Sequence, residues 1–340
     1  MSKVSVIIPN YNGETFLPTC LHSLLKSSFR SFEVIIIDDG STDESLKIIE
    51  KLQRKSKKIR LYQNKTNTGA SASRNLGLKY TKGEIIVFLD NDTRVDQHWL
   101  RELVKPLLAH NIEIGATCSK TLIFQRPSVI STAGLLLIPH TGWGIAKGGG
   151  DKNGTLKWEK PAETVAISAA LAVKKQVIEK IGGFDEKLAV HTEDLDFCWR
   201  IWLSGYKILY VPSSFLFHWS KSVDQRAKLM SASKSFIYFH INKNTIRTLL
   251  KNYSVEYLCR YLPVGLAIIW VRGLIVLISQ GDFSALWTAF TSLLWNLINL
   301  PDTLRTRTRV QSLRRVSDGY LYAKIMTNES LLNIYRKYFQ

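Results

Sequence analysis

The chain has 340 residues, of which 45% are hydrophobic, and this composition excludes a disordered protein while leaving room for one α/β domain with an appendage. A formal net charge of +18 at pH 7 indicates attraction to polyanions, namely nucleic acid, anionic lipid headgroups or phosphorylated substrates. The four cysteines, Cys20, Cys118, Cys198 and Cys259, are scattered and show neither a disulfide framework nor metal-ligand spacing.

Strand and helix patterns alternate through the first part of the chain. The predicted strands cover residues 4–9, 32–37, 59–62, 84–89 and 114–118, and the predicted helices cover residues 15–25, 44–54, 70–80 and 97–109. Such alternation predicts a mostly parallel α/β sheet with helices on both faces. The apolar run at 4–9 is too short for a secretory signal, so we expect this part of the chain to stay in the cytoplasm.

Polar residues follow three of these strands where the sheet should open to solvent. Ligands of open α/β sheets collect beyond the carboxyl ends of the strands, so one crevice can hold all of these residues. Carboxylates two positions apart on an extended segment point the same way and can hold a divalent cation that also binds a diphosphate. Asp and Asn also fill turns for local reasons, so the pair alone does not establish a metal site. The residues concerned are Pro9, Asp38, Asp39, Asp90 and Asp92.

The middle of the chain changes character twice. Residues 134–158 are rich in glycine and lose periodicity, which predicts a mobile loop, either a surface connection or a lid. A strand of small residues at 165–173 and a short helix at 175–181 follow. The next segment runs from Gly182 to Glu186, then through the acidic stretch 192–200, to Val211, Pro212 and His218.

Taken in order, these segments resemble a family 2 glycosyltransferase, and among its members the bacterial glycan and rhamnosyl-type transferases. The resemblance covers roughly residues 3–220. It implies a GT-A type fold, a nucleoside diphosphate sugar as donor, a divalent metal (Mg2+ or Mn2+) and inversion at the anomeric carbon. The metal ligands that it implies are Asp92, Asp90 and His218, and Asp90 can also touch the ribose.

Candidate residues for binding the sugar donor lie at the ends of the first two predicted strands and in the segment 67–77. Pro9 and Tyr11 offer flat apolar surface for a base, and the resemblance implies that Asp39 reads the base edge with support from Asp38. The same acids can instead form a tight turn before a helix, and both interpretations can hold together. In the segment 67–77, Gly69 permits close backbone approach and Arg74 can pair with phosphate, although the segment alone resembles an ordinary helix start.

Asp194 is the candidate general base for the acceptor hydroxyl. The alternative is that Glu193 and Asp194 only complement the dipole in the first turn of a helix. The resemblance implies an acceptor side near Ser168 and Ala169, and we expect His191 and Glu193 to contribute to it. The pair His191-Thr192 departs from the family, where aromatic residues are common, and this departure leaves the acceptor open.

The remaining chain forms a second unit, so the predicted domains are 1–225, the catalytic unit, and 226–340, a helical membrane-associating region. Its apolar segments at 262–278 and 285–300 contain Trp287 and Trp295 and are flanked by arginines, which favours helices at the interface with anionic lipid. Insertion as a hairpin and packing on protein are the alternatives, and Arg272 near the middle of the first segment disfavours spanning.

We therefore expect an inverting glycosyltransferase at the cytoplasmic face of the membrane, peripheral or monotopic, with a lipid-linked glycan as acceptor. One alternative is the same chemistry on a soluble or protein acceptor, with the C-terminal helices as an oligomer interface. Another is a non-catalytic binder of nucleotide sugars or polyanions. Nucleic acid is not an expected partner, because no nucleic-acid-binding module is visible.

Overall fold

The structure, a computed structural model, describes residues 3–109, 111–165, 169–219, 234–327 and 329. The strands are β1 Val4–Asn10, β2 Phe32–Asp38, β3 Ile59–Gln63, β4 Ile85–Leu89, β5 Thr93–Val95, β6 Ile114–Ile123, β7 Arg126–Thr132, β8 Leu135–Leu137, β9 Gly144–Ala146, β10 Ala162–Glu163, β11 Ala170–Lys174 and β12 Lys207–His218. The helices are α1 Leu17–Leu25, α2 Ser45–Lys55, α3 Ala70–Leu78, α4 Trp99–Leu108, α5 Lys175–Ile181, α6 Glu193–Leu203, α7 Lys234–Asn252, α8 Val255–Gln280, α9 Ser284–Ile298, α10 Leu300–Ser312 and α11 Asp318–Ile325.

A mixed sheet in the order β10-β12-β6-β11-β4-β1-β2-β3 forms the centre of the fold. The predicted strands β1, β2, β3 and β4 pair in parallel, whereas β11 runs antiparallel to both β4 and β6. Alternate residues of one strand bury against opposite layers, as Ile7 packs in one core cluster and Val6 in the other. Helices therefore cover both faces, as the continuous apolar runs predict.

The glycine-rich segment 134–158 contains regular secondary structure, so the prediction that it is a loop throughout is wrong, whereas its mobility stays a prediction. Strands β8 and β9 form a separate antiparallel hairpin there, and Ile138 and Ile145 are buried beneath it. Gly148 allows the chain to pack closely against Trp158 after β9. Its φ of 69° favours glycine, and an added Cβ would lie 2.8 Å from the Trp158 ring. Glycines at turn positions remove the periodic pattern from the sequence without removing the strands.

Buried charges attach the C-terminal helices to the rest of the fold. Asp196 of α6 is fully buried and lies 3.0 Å from both Arg200 Nε and Lys251 Nζ, the latter on α7. Arg247, one turn earlier on α7, binds Asp185 and Asp302 at 2.8 Å each. Removing one partner of a buried ion pair leaves an uncompensated charge, which typically costs about 3–5 kcal/mol. Helix α7 is therefore held firmly against α6.

Helices α8 and α9 pack on α7 with their inner faces and leave apolar outer faces uncovered. Small residues permit close packing, since a Cβ added at Gly273 would lie 3.1 Å from Leu286 Cα. Among the described helices, α8 is the one long and apolar enough to cross a membrane by length and composition, with a mean hydropathy of 2.2 over its best window. Exposed apolar side chains on α8 and α9 include Val271, Leu274, Ile275, Ile278, Trp287, Phe290, Leu294, Leu297 and Ile298.

Candidate active site

Three predicted metal ligands meet at the carboxyl end of β4. Asp90 follows β4 directly, Asp92 precedes β5, and antiparallel pairing of β12 with β5 sets His218 opposite Thr93. One ligand atom from each of Asp90, Asp92 and His218 lies within 4.8 Å of the other two. His218 Nε2 is 3.2 Å from Asp92 Oδ1. Strand pairing therefore joins residues that are far apart in sequence.

The chemistry of this cluster fits a divalent cation. Two carboxylate oxygens suit Mg2+ or Mn2+, and a donor set of three leaves coordination positions open for the phosphate oxygens of a substrate. Burial, followed by repulsion from Asp92, raises the pKa of Asp90 against the lowering effect of Arg74. A bound cation would relieve this repulsion between the carboxylates.

Arg74 links the cluster of Asp90, Asp92 and His218, called here the metal-ligand cluster, to the start of α6. Its guanidinium binds Asp90 Oδ1 at 3.1 Å and Glu193 Oε1 at 2.8 Å, and the residue is 9% exposed. We predicted a phosphate contact for Arg74 and an acceptor contact for Glu193. In the structure the two side chains bind each other instead, so those substrate contacts stay predictions.

Asp194 occupies the first turn of α6, next to this ion pair. Burial, and then the charge of Glu193, raise the pKa of Asp194 to about 7, and the charge of Asp90 acts in the same direction. Asp194 Oδ1 accepts a hydrogen bond from Leu195 N at 2.8 Å, which lowers its pKa only partly. Asp194 is thus suited to hold a proton near neutral pH.

The backbone before α6 adopts an unusual conformation. Ala189, His191 and Thr192 have φ values of 58°, 63° and 63°, a region that L-residues rarely adopt. Asn244 of α7 donates from Nδ2 to the carbonyl oxygens of Leu188, Val190 and His191. The C-terminal region therefore fixes the segment that leads into Asp194. The role of Asn244 is not predictable from the sequence, because a polar residue inside a helix gives no signal of a partner more than 50 positions away.

The donor-side acids point inward and are fully engaged. Asp38, 1% exposed, accepts hydrogen bonds from Asn10 Nδ2 and from both Ser41 N and Ser41 Oγ. Asp39, 3% exposed, accepts from Asn64 Nδ2, Thr68 N and Oγ1, and Gly69 N. Both acids therefore hold the loops around the crevice, and contact with a base stays a prediction.

Two asparagines connect the donor side to the metal-ligand cluster. Asn91 Nδ2 donates to Asn10 Oδ1 at 2.7 Å, and Asn10 Nδ2 donates to Asp38. A Cβ added at Gly13 would lie 2.2 Å from Asn10 Oδ1, so glycine is required there. Tyr11 beside them is 39% exposed and offers the predicted apolar surface, and Pro9 is partly buried. The sequence signal for Asn10 was its position at a strand end.

The predicted acceptor side is only partly described. Ala169 is buried, and its carbonyl oxygen accepts from Asp90 N at 3.0 Å, so it contributes backbone to the cluster. Ser168 lies outside the described residues. Two cavities of about 540 and 570 Å³ lie elsewhere, and neither is lined by Asp92, Asp194 or His218.

Comparison with known proteins gives consistent matches. The sequence pattern of Glycosyl transferase family 2 matches residues 5–121, and that of Glycosyl transferase family group 2 matches residues 85–300. A protein of Borreliella burgdorferi named cholesterol galactosyltransferase is 31% identical over 275 residues, which make up 76% of this chain and 71% of the relative. The chain covers only 45% and 16% of the length of two further matched glycosyltransferases.

Solved structures share the fold at low sequence identity. The complex of Staphylococcus aureus TarS 1-349 with UDP-GlcNAc has a TM-score of 0.58 at 18% identity, covering 95% of this chain and 92% of that one. The complex of GalNAc-T7 with UDP, GalNAc and Mn2+ has a TM-score of 0.61 at 21% identity, covering 76% of this chain and 49% of that one.

Proposed function

The chain belongs to the family 2 glycosyltransferases and has their GT-A type fold, and from this premise we propose that it transfers a sugar from a nucleoside diphosphate sugar to an acceptor hydroxyl with inversion. The observation that carries the proposal is the meeting of Asp90, Asp92 and His218 beside the Arg74–Glu193 pair and Asp194. Acids from distant parts of the chain are thereby joined through Arg74, which contacts both Asp90 and Glu193.

The cation would be held by Asp92, Asp90 and His218. A divalent ion at these residues supplies electrostatic stabilisation of the leaving diphosphate. Arg74 neutralises part of the negative charge around it and keeps Glu193 beside Asp194. Asp38 and Asp39 hold the loops beside which Pro9 and Tyr11 offer a surface for the base.

Asp194 would act as general base. Its carboxylate accepts the proton of the acceptor hydroxyl while that oxygen forms a bond to the anomeric carbon, and the bond from this carbon to the diphosphate oxygen breaks on the opposite face. The products are an inverted glycoside, a free nucleoside diphosphate and a protonated Asp194. The pKa of about 7 supports this role, because such a carboxylate is ionised above neutral pH yet more basic than an ordinary aspartate.

We further propose that the acceptor is carried on a lipid and that the protein docks on the cytoplasmic face of the membrane. Three observations support this: the uncovered apolar faces of α8 and α9, the net charge of +18, and a relative whose name gives a sterol as its substrate. Exposed arginines, among them Arg305, Arg309 and Arg315, lie beyond α9 and suit anionic headgroups. In this proposal residues 1–225 are the catalytic unit and residues 226–340 the membrane-associating unit.

The direct test is to incubate the purified protein with a set of nucleoside diphosphate sugars and to measure release of the nucleoside diphosphate with Mn2+, with Mg2+ and with a chelator. Metal-dependent release from at least one donor is expected. Absence of release and of donor binding with every donor would contradict the proposal. The competing interpretation, in which the apolar faces form an oligomer interface, predicts a dimer or larger mass in lipid-free solution.

A further inference from the structure

Arg272 lies within the long apolar helix α8, yet its charged group turns toward the protein. Its Nη2 donates to Asn242 Oδ1 of α7 at 2.7 Å. The guanidinium lies over the ring of Tyr238, 5.0 Å from the centroid, and over that of Trp143 at 5.5 Å. The side chain therefore does not interrupt the uncovered apolar face of α8.

The guanidinium of Arg272 has no carboxylate partner among the residues that the structure describes. Two buried cations of α7 are paired with carboxylates: Arg247 binds Asp185 and Asp302, and Lys251 binds Asp185 and Asp196. A third, Lys243, donates to the carbonyl oxygen of Lys187. Withdrawing a charge from water without a counterion is costly, and aromatic rings compensate only in part. An arginine has five N–H donors, and Nη2 of Arg272 donates to the side-chain oxygen of Asn242. The remaining N–H groups of this guanidinium can therefore donate to an anion.

The surroundings of Arg272 connect it to the candidate active site. One turn of α7 holds three elements together: Asn242 binds Arg272, Thr245 binds the indole N–H of Trp143 at 2.7 Å, and Asn244 holds the segment before Asp194. Next to Trp143, a Cβ added at Gly144 would lie 3.2 Å from Leu195, the residue after Asp194. The Arg272 guanidinium thus lies between the start of α6 and the inner faces of helices α8 and α9.

We propose that Arg272, flanked by Trp143 and Tyr238, binds a phosphate group of the lipid acceptor. The guanidinium lies over both rings, and its planar fork of N–H donors matches the bidentate geometry of phosphate. A lipid chain attached to that phosphate can lie along the apolar surface of α8 and α9, while the sugar hydroxyl reaches toward Asp194. The inference rests on the lipid acceptor of the proposed function and adds the chemical group by which that acceptor is recognised.

The test compares wild type with Arg272→Gln, Arg272→Lys and the control Arg260→Gln, which removes an exposed arginine of the same helix. The probe is decyl phosphate below its micellar concentration, with decanol as the uncharged counterpart, measured by calorimetry on the full chain. We expect Arg272→Gln to weaken binding of decyl phosphate about tenfold or more, in line with the strength of charged hydrogen bonds. Arg272→Lys should weaken it less, and Arg260→Gln and the affinity for decanol should not change.

Equal affinity of wild type and Arg272→Gln for decyl phosphate would overturn the proposal. If Arg272→Gln does not fold, the Lys variant decides, because it keeps the charge and loses the planar fork. A second arm measures co-sedimentation with phosphatidylglycerol vesicles, which should be unaltered in Arg272→Gln. Loss of vesicle binding in that variant would assign the site to membrane headgroups and overturn the acceptor role. Both arms measure binding, so they remain informative even if no donor is turned over.

Discussion

Arg74 Nη1 lies 2.8 Å from Glu193 Oε1, although the two residues are 119 positions apart in the chain. The same guanidinium contacts Asp90, so one cation joins the carboxyl end of β4 to the first turn of α6. Both side chains of the Arg74–Glu193 pair are about 90% buried, and the contact is therefore little screened by solvent. This pair fixes where Asp194 lies relative to the metal-ligand cluster.

Replacement of Asp194 by Asn should remove most of the activity while preserving donor binding. The amide cannot accept the proton of the acceptor hydroxyl, and loss of a general base typically costs about 10²–10⁴-fold in rate. The measurement is the turnover number for sugar transfer together with the dissociation constant of the donor. Asp151→Asn serves as the matched control, because the Asp151 carboxylate accepts a hydrogen bond from Trp158 Nε1 and has no predicted role in catalysis. This variant should retain wild-type turnover. Full activity of Asp194→Asn would reassign the base.

Activity should rise with pH and level off above about pH 7. The pKa of Asp194 is raised to about 7, and a base works only in its deprotonated form, so protonation below that pH removes activity. The measurement is kcat/KM between pH 5 and pH 9 at saturating metal. A profile that is nearly flat from pH 5 upward, as expected of an ordinary aspartate with a pKa near 4, would contradict this assignment.

The raised pKa of Asp194 should also affect how the stability of the fold depends on pH. Because its folded pKa lies above the unfolded value of about 3.9, Asp194 binds a proton more tightly in the folded state, and this contribution to stability is present below about pH 4 and is lost as pH rises through about 7. Asp194→Asn should therefore lose less stability than wild type between pH 5 and pH 8. Thermal unfolding at the two pH values measures this difference. Parallel shifts in both proteins would contradict the assigned pKa.

Asp92→Ala should weaken metal-dependent stabilisation. Mn2+ raises the unfolding temperature of a protein that binds it in the folded state, by mass action. With Asp92 removed, we expect about a tenfold higher Mn2+ concentration for the same shift, since one charged ligand is lost and a tenfold change corresponds to about 1.4 kcal/mol. Asp96→Ala, four positions along the chain, is the control. An unchanged titration in Asp92→Ala would exclude this residue as a ligand.

Ile278→Asp should reduce binding to vesicles that contain phosphatidylglycerol. Ile278 is 83% exposed on the apolar face of α8, and a carboxylate there would have to be dehydrated or repelled by anionic lipid. The measurement is co-sedimentation at low ionic strength. Ile112→Asp is matched in exposure, at 82%, but lies on the catalytic unit, and it should bind vesicles like wild type. Equal binding of the two variants would count against the proposed docking face.

Much of the fold could be predicted locally, and the family was confirmed. Strands such as β1 and β4 are apolar runs with polar ends, and their parallel pairing follows from the alternation with helices. The hairpin of β8 and β9 was missed, because glycines at its turns mask the strand pattern. The inward orientation of Asp39 also escaped prediction, since its partners Asn64, Thr68 and Gly69 are brought to it by the fold.

The sequence by itself determined the alternation of strands and helices in the first part of the chain, the family and the acidic residues at the strand ends, because hydrophobic period and turn chemistry are encoded within a few neighbouring residues. Only the tertiary structure decided which of these residues meet. The pairing of β12 with β5 brings His218 to Asp92, and the contact with α7 turns Arg272 away from the uncovered apolar face of α8. Such choices depend on which surfaces can be buried together across the whole chain, a quantity that no local pattern contains.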